Sequence, residues 1–242
     1  MNNIIPFNYE SIHRKYDIPD IQNNKLNKDT VTAIINAWNE ITVIDSYGRV
    51  WVNSEKIHIV LRTTKENALY MIAGLGDDKK YREGERLFVK GESICYLLDY
   101  GIQNARNILR ENYIKHSQLL YLAIRDCSRA RELRAEHYAY ISKIIKSLKQ
   151  KRINQFSIQY DELTGEFLHG STAEFSHIRS VSVFPHLAGF VENGLIVNKT
   201  THDKITSTSI NDEEQLIELC NHYNWKTNWY SVYKNFIGND IF

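Results

Sequence analysis

The chain is short of cysteine and has no long apolar run. Its three cysteines, Cys95, Cys127 and Cys220, are odd in number and widely spaced, so no disulfide framework is expected. They read as reduced, partly buried thiols in a reducing cytoplasm. No apolar stretch approaches the ~20 residues of a membrane span, and the run Leu119–Ile124 is cut off by Arg125. The first residues, Met1 to Phe7, lack the basic region and long apolar stretch of a signal peptide. Gly74 and Gly76 are too few for a phosphate-binding glycine fingerprint. There is no internal repeat and no low-complexity tract. These absences lead us to expect a cytoplasmic protein with no membrane association.

Hydrophobic residues make up 43% of the 242 and charged residues 24%, enough apolar surface for one large or two small domains. Net charge is only +1, but it is unevenly distributed. Residues 100–152 carry 12 Lys and Arg against 4 Asp and Glu, whereas residues 153–242 carry 5 against 11. The basic segment also has the clearest helical pattern. Leu120, Ile124, Cys127, Ala130, Leu133, Ile141, Ile144 and Leu148 recur mostly at three and four, which is an amphipathic stripe. Arg125, Arg129, Arg131, Arg134, Lys143, Lys146 and Lys149 fall largely off it. Such a face is either a solvated side of a bundle, a nucleic-acid contact or a dimer-forming hairpin. The pattern changes near Ile153, which puts a domain boundary between 1–152 and 153–242.

The N-terminal part reads as mixed. A helix is predicted from an N-cap at Asp29 through Val31, Ile34 and Trp38 to Asn39. Ile41–Ile44, Arg49–Val52 and Ile57–Leu61 read as strands of a small antiparallel sheet, with Ser46-Tyr47-Gly48 as a turn. Residues 74–85 read as a loop. Near the other end, Asn211 followed by Glu214 suggests a capping box for a helix reaching His222. Trp225, Trp229, Tyr230 and Tyr233 behind it read as core in preference to a base-stacking surface.

The last 90 residues carry the informative constellation. Glu174-Phe175-Ser176-His177 reads as a strand, Pro185 lies in a loop, Asn193-Gly194-Leu195-Ile196-Val197 turns into a second strand, and His202 sits on a following helix. A His, an Asn and a second His in this order resemble the HNH endonucleases, whose fold is the ββα-metal unit. Tyr160 to Phe167 resembles the hairpin that opens such domains. The fold class implied is α+β, with an N-terminal mixed domain containing a small antiparallel sheet, a basic helical segment, and a ββα-metal domain.

The resemblance implies metal-dependent hydrolysis of phosphodiester bonds in DNA, and nothing in the sequence separates DNA from RNA. It makes His177 the general base, Asn193 the residue that ties the loop, and His202 a ligand of a divalent metal ion, Mg²⁺ or Mn²⁺. Arg179 is a candidate phosphate contact. A neutral imidazole suits proton abstraction near neutral pH, and a divalent cation suits the charge developing on phosphate.

Two departures stand out. Tyr160, Leu163, Asn198 and Thr201 occupy the positions of the paired cysteines in zinc-binding members, so no structural zinc is expected and apolar packing is left to hold the domain together. Ser176 stands where the family places a metal-binding Asp or His. The missing charge is then supplied by Glu174 or by Asp203, or the ion is held by His202, water and substrate phosphate. The alternative is a degenerate nucleic-acid-binding scaffold, or a partner-dependent subunit, inactive alone, whose N-terminal domain docks on a sensor protein; the partners expected are a second copy in a homodimer or a defence-system protein. By analogy with the family, the biological setting is restriction or antiphage defence.

Overall fold

A computed structural model describes residues 8–21 and 25–238. The architecture is α+β, as the sequence pattern predicts. It divides into two compact units, residues 1–137 and 138–242. The division falls inside one helix, Ser128–Phe156, earlier than the 152/153 boundary read from composition. The basic pattern continues through that helix, so composition marks the helix end and not the unit boundary.

In the first unit β1 (Tyr9–Ser11), β2 (Thr42–Asp45), β3 (Val50–Asn53), β4 (Lys80–Glu83) and β5 (Arg86–Lys90) form one antiparallel sheet in the order β1-β2-β3-β5-β4. The β2–β3 hairpin turns at Ser46-Tyr47-Gly48 as expected. Gly48 has φ +72°, and a Cβ there would lie 2.4 Å from the Ala130 carbonyl oxygen, so only glycine fits. The predicted third strand is instead a helical turn, α2 (Ile57–Val60). Asn53 caps the preceding 3₁₀ turn by accepting the Glu55 N–H, which commits the chain to helix before the apolar run begins. The predicted 74–85 loop contains β4, whose alternation carries little apolar signal.

Helix α1 (Lys28–Ile41) is capped by Asn27, which accepts the Thr30 N–H at 3.0 Å; Asp29 lies inside the first turn. Helices α3 (Lys65–Ala73), α4 (Gly91–Gln103) and α5 (Ile108–Arg125) complete the unit with the start of α6 (Ser128–Phe156). The stripe read as continuous is broken at Asp126, where α5 ends, but its apolar members Leu120, Ile124, Cys127, Ala130 and Leu133 are all buried. Buried Trp38 donates from Nε1 to Ser117 Oγ at 2.9 Å, and Ser117 donates onward to the Val60 carbonyl at 2.8 Å, joining α1, α5 and α2.

The second unit begins within α6 and contains β6 (Glu174–His177), β7 (Gly194–Val197), α7 (Lys199–Ser207), α8 (Glu213–Tyr223) and α9 (Trp229–Gly238). Strands β6 and β7 pair antiparallel and α7 follows directly, giving strand, loop, strand, helix. Helix α8 is capped by Asp212, not Asn211, with Asp212 Oδ1 accepting the Gln215 N–H at 2.9 Å. Trp229 and Tyr233 are buried with Leu163, Ile178 and Leu195, and Trp225 and Tyr230 pack against them. The aromatic group is core. Among the described residues no helix is long and apolar enough to cross a membrane. The three cysteines are free thiols, with Cys127 and Cys220 buried.

Candidate functional site

His177 closes β6 opposite Gly194, Asn193 lies at the turn into β7, and His202 stands in the first turn of α7, which follows the other end of β7. The register sets His177 opposite Gly194, Ser176 opposite Leu195 and Glu174 opposite Val197. Side chains alternate along a strand, so Glu174 and Ser176 share a face with Leu195 and Val197, which pack with Ile205 of α7. Phe175 and His177 point to the other face. The Phe175 ring lies over Gly194, where a Cβ would come within 2.2 Å of it, and meets the His177 imidazole edge-on with centroids 5.0 Å apart.

His177 Nε2 lies 3.1 Å from the Ala188 carbonyl oxygen. A carbonyl only accepts, so Nε2 carries the proton and Nδ1 keeps the lone pair of the neutral ring. Burial pushes the imidazole below its ordinary pKa, the Ala188 carbonyl partly offsets this, and the charge of nearby His202 adds to the lowering. A neutral ring with its tautomer set by a backbone acceptor is suited to receive a proton at neutral pH.

Asn193 is fully buried and ties together the loop between the two strands. Its Oδ1 accepts the Arg179 N–H at 3.0 Å and the Tyr233 hydroxyl at 2.9 Å. Its Nδ2 donates to the carbonyls of Arg179 at 3.1 Å and Leu187 at 3.2 Å. Two donors and two acceptor sites are all used, which is the full capacity of the amide. The Leu187 contact is one residue from Ala188, so the amide that closes the loop also positions the carbonyl that orients His177.

Arg179 does not face outward. It forms a two-pronged pair with buried Glu213, Nε to Oε2 and Nη2 to Oε1 both at 2.7 Å, and stacks on Phe184. The expected phosphate contact is corrected: this charge is matched inside the unit. Ser176 is buried as well, and its neutral hydroxyl adds no charge to a metal site. Glu174 is half-buried on the α7 side of the sheet, and His202, also half-buried, follows Asn198 with its N–H bonded to the Asn198 carbonyl at 3.0 Å. One imidazole and one carboxylate are too few to make a closed cage for a divalent ion. Asp203 is exposed and pairs with Lys199 at 3.2 Å.

The knuckle-like hairpin closes through a Tyr160–Phe167 bridge and is tied to α7 by a group that the sequence does not advertise. Fully buried Asp161 accepts the N–H groups of Leu163 and Thr164 through Oδ1, at 2.9 and 3.0 Å, and the Asn198 N–H and Thr201 hydroxyl through Oδ2, both at 2.8 Å. Asn198 makes two further bonds, its Nδ2 donating to the Phe167 carbonyl at 3.1 Å and its Oδ1 accepting the His169 N–H at 3.0 Å. A buried carboxylate and an amide therefore join hairpin and helix, correcting the expectation that apolar packing alone would do so. Arg152 of α6 adds a second link, two-pronged to Glu162 at 2.8 Å on both arms.

Three of the groups that shape the site, Asp161, Tyr233 and the Ala188 carbonyl, carry no local sequence signal. A cavity of about 450 Å³ in the second unit, lined by Arg152, Phe156, Tyr160, Trp229 and Phe236, includes none of the three candidate residues. In comparisons with protein-family models, curated proteins and solved structures, the chain matches none.

Proposed function

We propose that the second unit is a metal-dependent HNH-type endonuclease that hydrolyses phosphodiester bonds in DNA. The observation that carries this reading is the His177 imidazole at the end of β6, held neutral by burial and fixed by the Ala188 carbonyl, with His202 of α7 near enough for its charge to act on the ring.

In this mechanism the neutral His177 accepts the proton of the attacking water at Nδ1. Nε2 remains bonded to Ala188, so the ring does not turn as it gains charge. Asn193 holds the loop in place through its four bonds and keeps the base aimed. His202 and Glu174 are the residues that would hold a magnesium-like or manganese ion, which when bound neutralises charge on the phosphate and on the leaving oxygen. The lysines of α6 provide a path for the backbone. Lys143 and Lys146 are exposed, and the same helix carries Ile141 and Ile144, which lie 3.3 and 3.6 Å from where a Gly189 Cβ would stand in the His177 loop. In the cell this activity fits a cytoplasmic restriction or antiphage defence effector, working alone, as a homodimer or with a defence-system partner protein.

Incubation of the purified protein with plasmid DNA and Mg²⁺ or Mn²⁺ tests the reading, beside His177→Ala and a chelator control. Cleavage abolished in both is the expected result. Cleavage that survives His177→Ala removes His177 as base. A second reading, a binding or partner-dependent subunit on the same scaffold, is favoured by the buried neutral hydroxyl of Ser176. Nucleic-acid binding without cleavage supports it, with RNA run beside DNA to fix the substrate class.

A further inference from the structure

The first unit gathers two arginines around one tyrosine without a carboxylate between them. Arg62 follows α2 with φ +53°, a left-handed conformation that is unfavourable for most residues and tolerated best by glycine or asparagine. Its guanidinium lies over the Tyr113 ring, 5.0 Å from the centroid. Arg110, three residues before Tyr113 and so on the same face of α5, donates from Nε to the Arg62 carbonyl at 3.1 Å. The Nε of Arg62 is buried with no hydrogen-bond partner, and so is Nδ1 of His58, one helical turn before Arg62.

Among the described residues neither guanidinium pairs with an acid. Glu111 in the first turn of α5 is taken by Lys115 at 2.6 Å. Exposed Glu66, close enough to His58 to sense its charge, is bonded to its own backbone N–H and to Thr64. The arrangement thus combines a left-handed backbone at Arg62, buried donor or acceptor nitrogens without partners on Arg62 and His58, and a second guanidinium, that of Arg110, anchored on the Arg62 carbonyl. The first two are unfavourable, and strain of this kind concentrates where a ligand is held. A single anion with several oxygens would satisfy the Arg62 donor and draw on the Arg110 fork as well, because guanidinium forks match phosphate geometry.

We infer that Arg62 and Arg110, with His58 beside them, form a binding site for a phosphate group, either free or carried by a nucleotide. The site belongs to the first unit and stands independently of the nuclease reading.

The experiment is thermal unfolding of the full chain titrated with inorganic phosphate, against sodium chloride of matched ionic strength, for wild type, Arg62→Gly and Arg110→Gln. Phosphate is expected to raise the wild-type melting temperature beyond chloride, and each variant to weaken the apparent affinity at least tenfold. Arg62→Gly accepts the left-handed backbone, so without phosphate it is expected to melt no lower than wild type. A lower melting temperature in that variant would make Arg62 a structural residue and overturn the site. So would a phosphate response equal to that of chloride, or one that Arg62→Gly retains. A parallel titration with adenosine monophosphate and adenosine separates the sources. Tighter binding of the nucleotide than of phosphate assigns the group to a nucleotide, equal binding assigns it to free phosphate, and a response to adenosine alone overturns the proposal.

Discussion

Asp161 and Thr201, forty residues apart in sequence, meet through a 2.8 Å hydrogen bond from the Thr201 hydroxyl to a fully buried carboxylate oxygen. That contact joins the opening hairpin of the second unit to the first turn of α7, the helix that carries His202. One carboxylate receives four donors from both segments, so a large part of the tie between hairpin and helix runs through a single side chain.

Replacing that side chain is therefore expected to be costly. Asp161→Ala leaves four donors without their acceptor, and at ~1–3 kcal/mol for each buried unsatisfied group the loss should exceed ~3 kcal/mol. Urea denaturation of the variant checks this, and a change below ~1 kcal/mol would show that water or a rearranged backbone replaces the carboxylate.

Asn193 and Tyr233 separate stability from loop geometry. Tyr233→Phe removes only the hydroxyl that donates to Asn193 Oδ1, so it should lose about 1 kcal/mol of stability while leaving the Arg179 and Leu187 bonds intact. Asn193→Ala removes all four bonds and should lower both stability and cleavage, the latter by at least tenfold as the Ala188 carbonyl drifts from His177. Equal effects of the two substitutions on cleavage would contradict this ordering.

Acid should weaken the fold through its buried histidines. His116 is buried with both ring nitrogens unpartnered, and burial lowers its pKa, as it does for His177. A lowered folded value means that the unfolded chain binds the proton more tightly. The stability contribution is therefore complete above the unfolded value of about 6.5 and is lost as pH falls from there through the folded values. Urea midpoints should be level from about pH 7 to 8 and decline below about 6.5, with a shallower decline in His116→Leu. A midpoint that rises on acidification would reverse the assignment. Cleavage should likewise persist somewhat below pH ~6.5 before His177 gains its proton.

The lysine face of α6 should act through charge alone. Lys143→Glu and Lys146→Glu are expected to weaken DNA binding by the cleavage-deficient His177→Ala protein without regard to sequence. Each lost phosphate contact should reduce the slope of log K against log salt by about one. An unchanged slope in the double variant would mean that this face is solvated only.

What the sequence made legible was the part governed by local pattern. The β2–β3 hairpin was readable because apolar residues flank a turn that only Gly48 can make, and β6, β7 and α7 because their spacing is short and their turn chemistry plain. Ile57–Val60 misled because a short apolar run fits strand or helix equally well, and the deciding cap is Asn53, outside the run. Strand β4, reading Lys-Tyr-Arg-Glu, offers almost no apolar alternation. At the site the three candidate residues were visible, but their supports were not. Asp161 finds its partners 37 and 40 positions away, and Arg179 is turned inward by Glu213, 34 positions away. Long-range pairing of polar groups follows from the packing of whole elements, which no local window contains.

The Phe175 ring occupies the space that any side chain at position 194 would need, and the same ring supports the His177 imidazole edge-on. The two positions are therefore not free to drift separately. Alanine at 194 would push the ring against the imidazole, whereas a smaller residue at 175 makes room for it but withdraws the support. In a library randomised at both sites and selected for cleavage, large residues at 175 should survive only with glycine at 194, so that a backbone position with no side chain becomes as restricted in inheritance as the imidazole it faces.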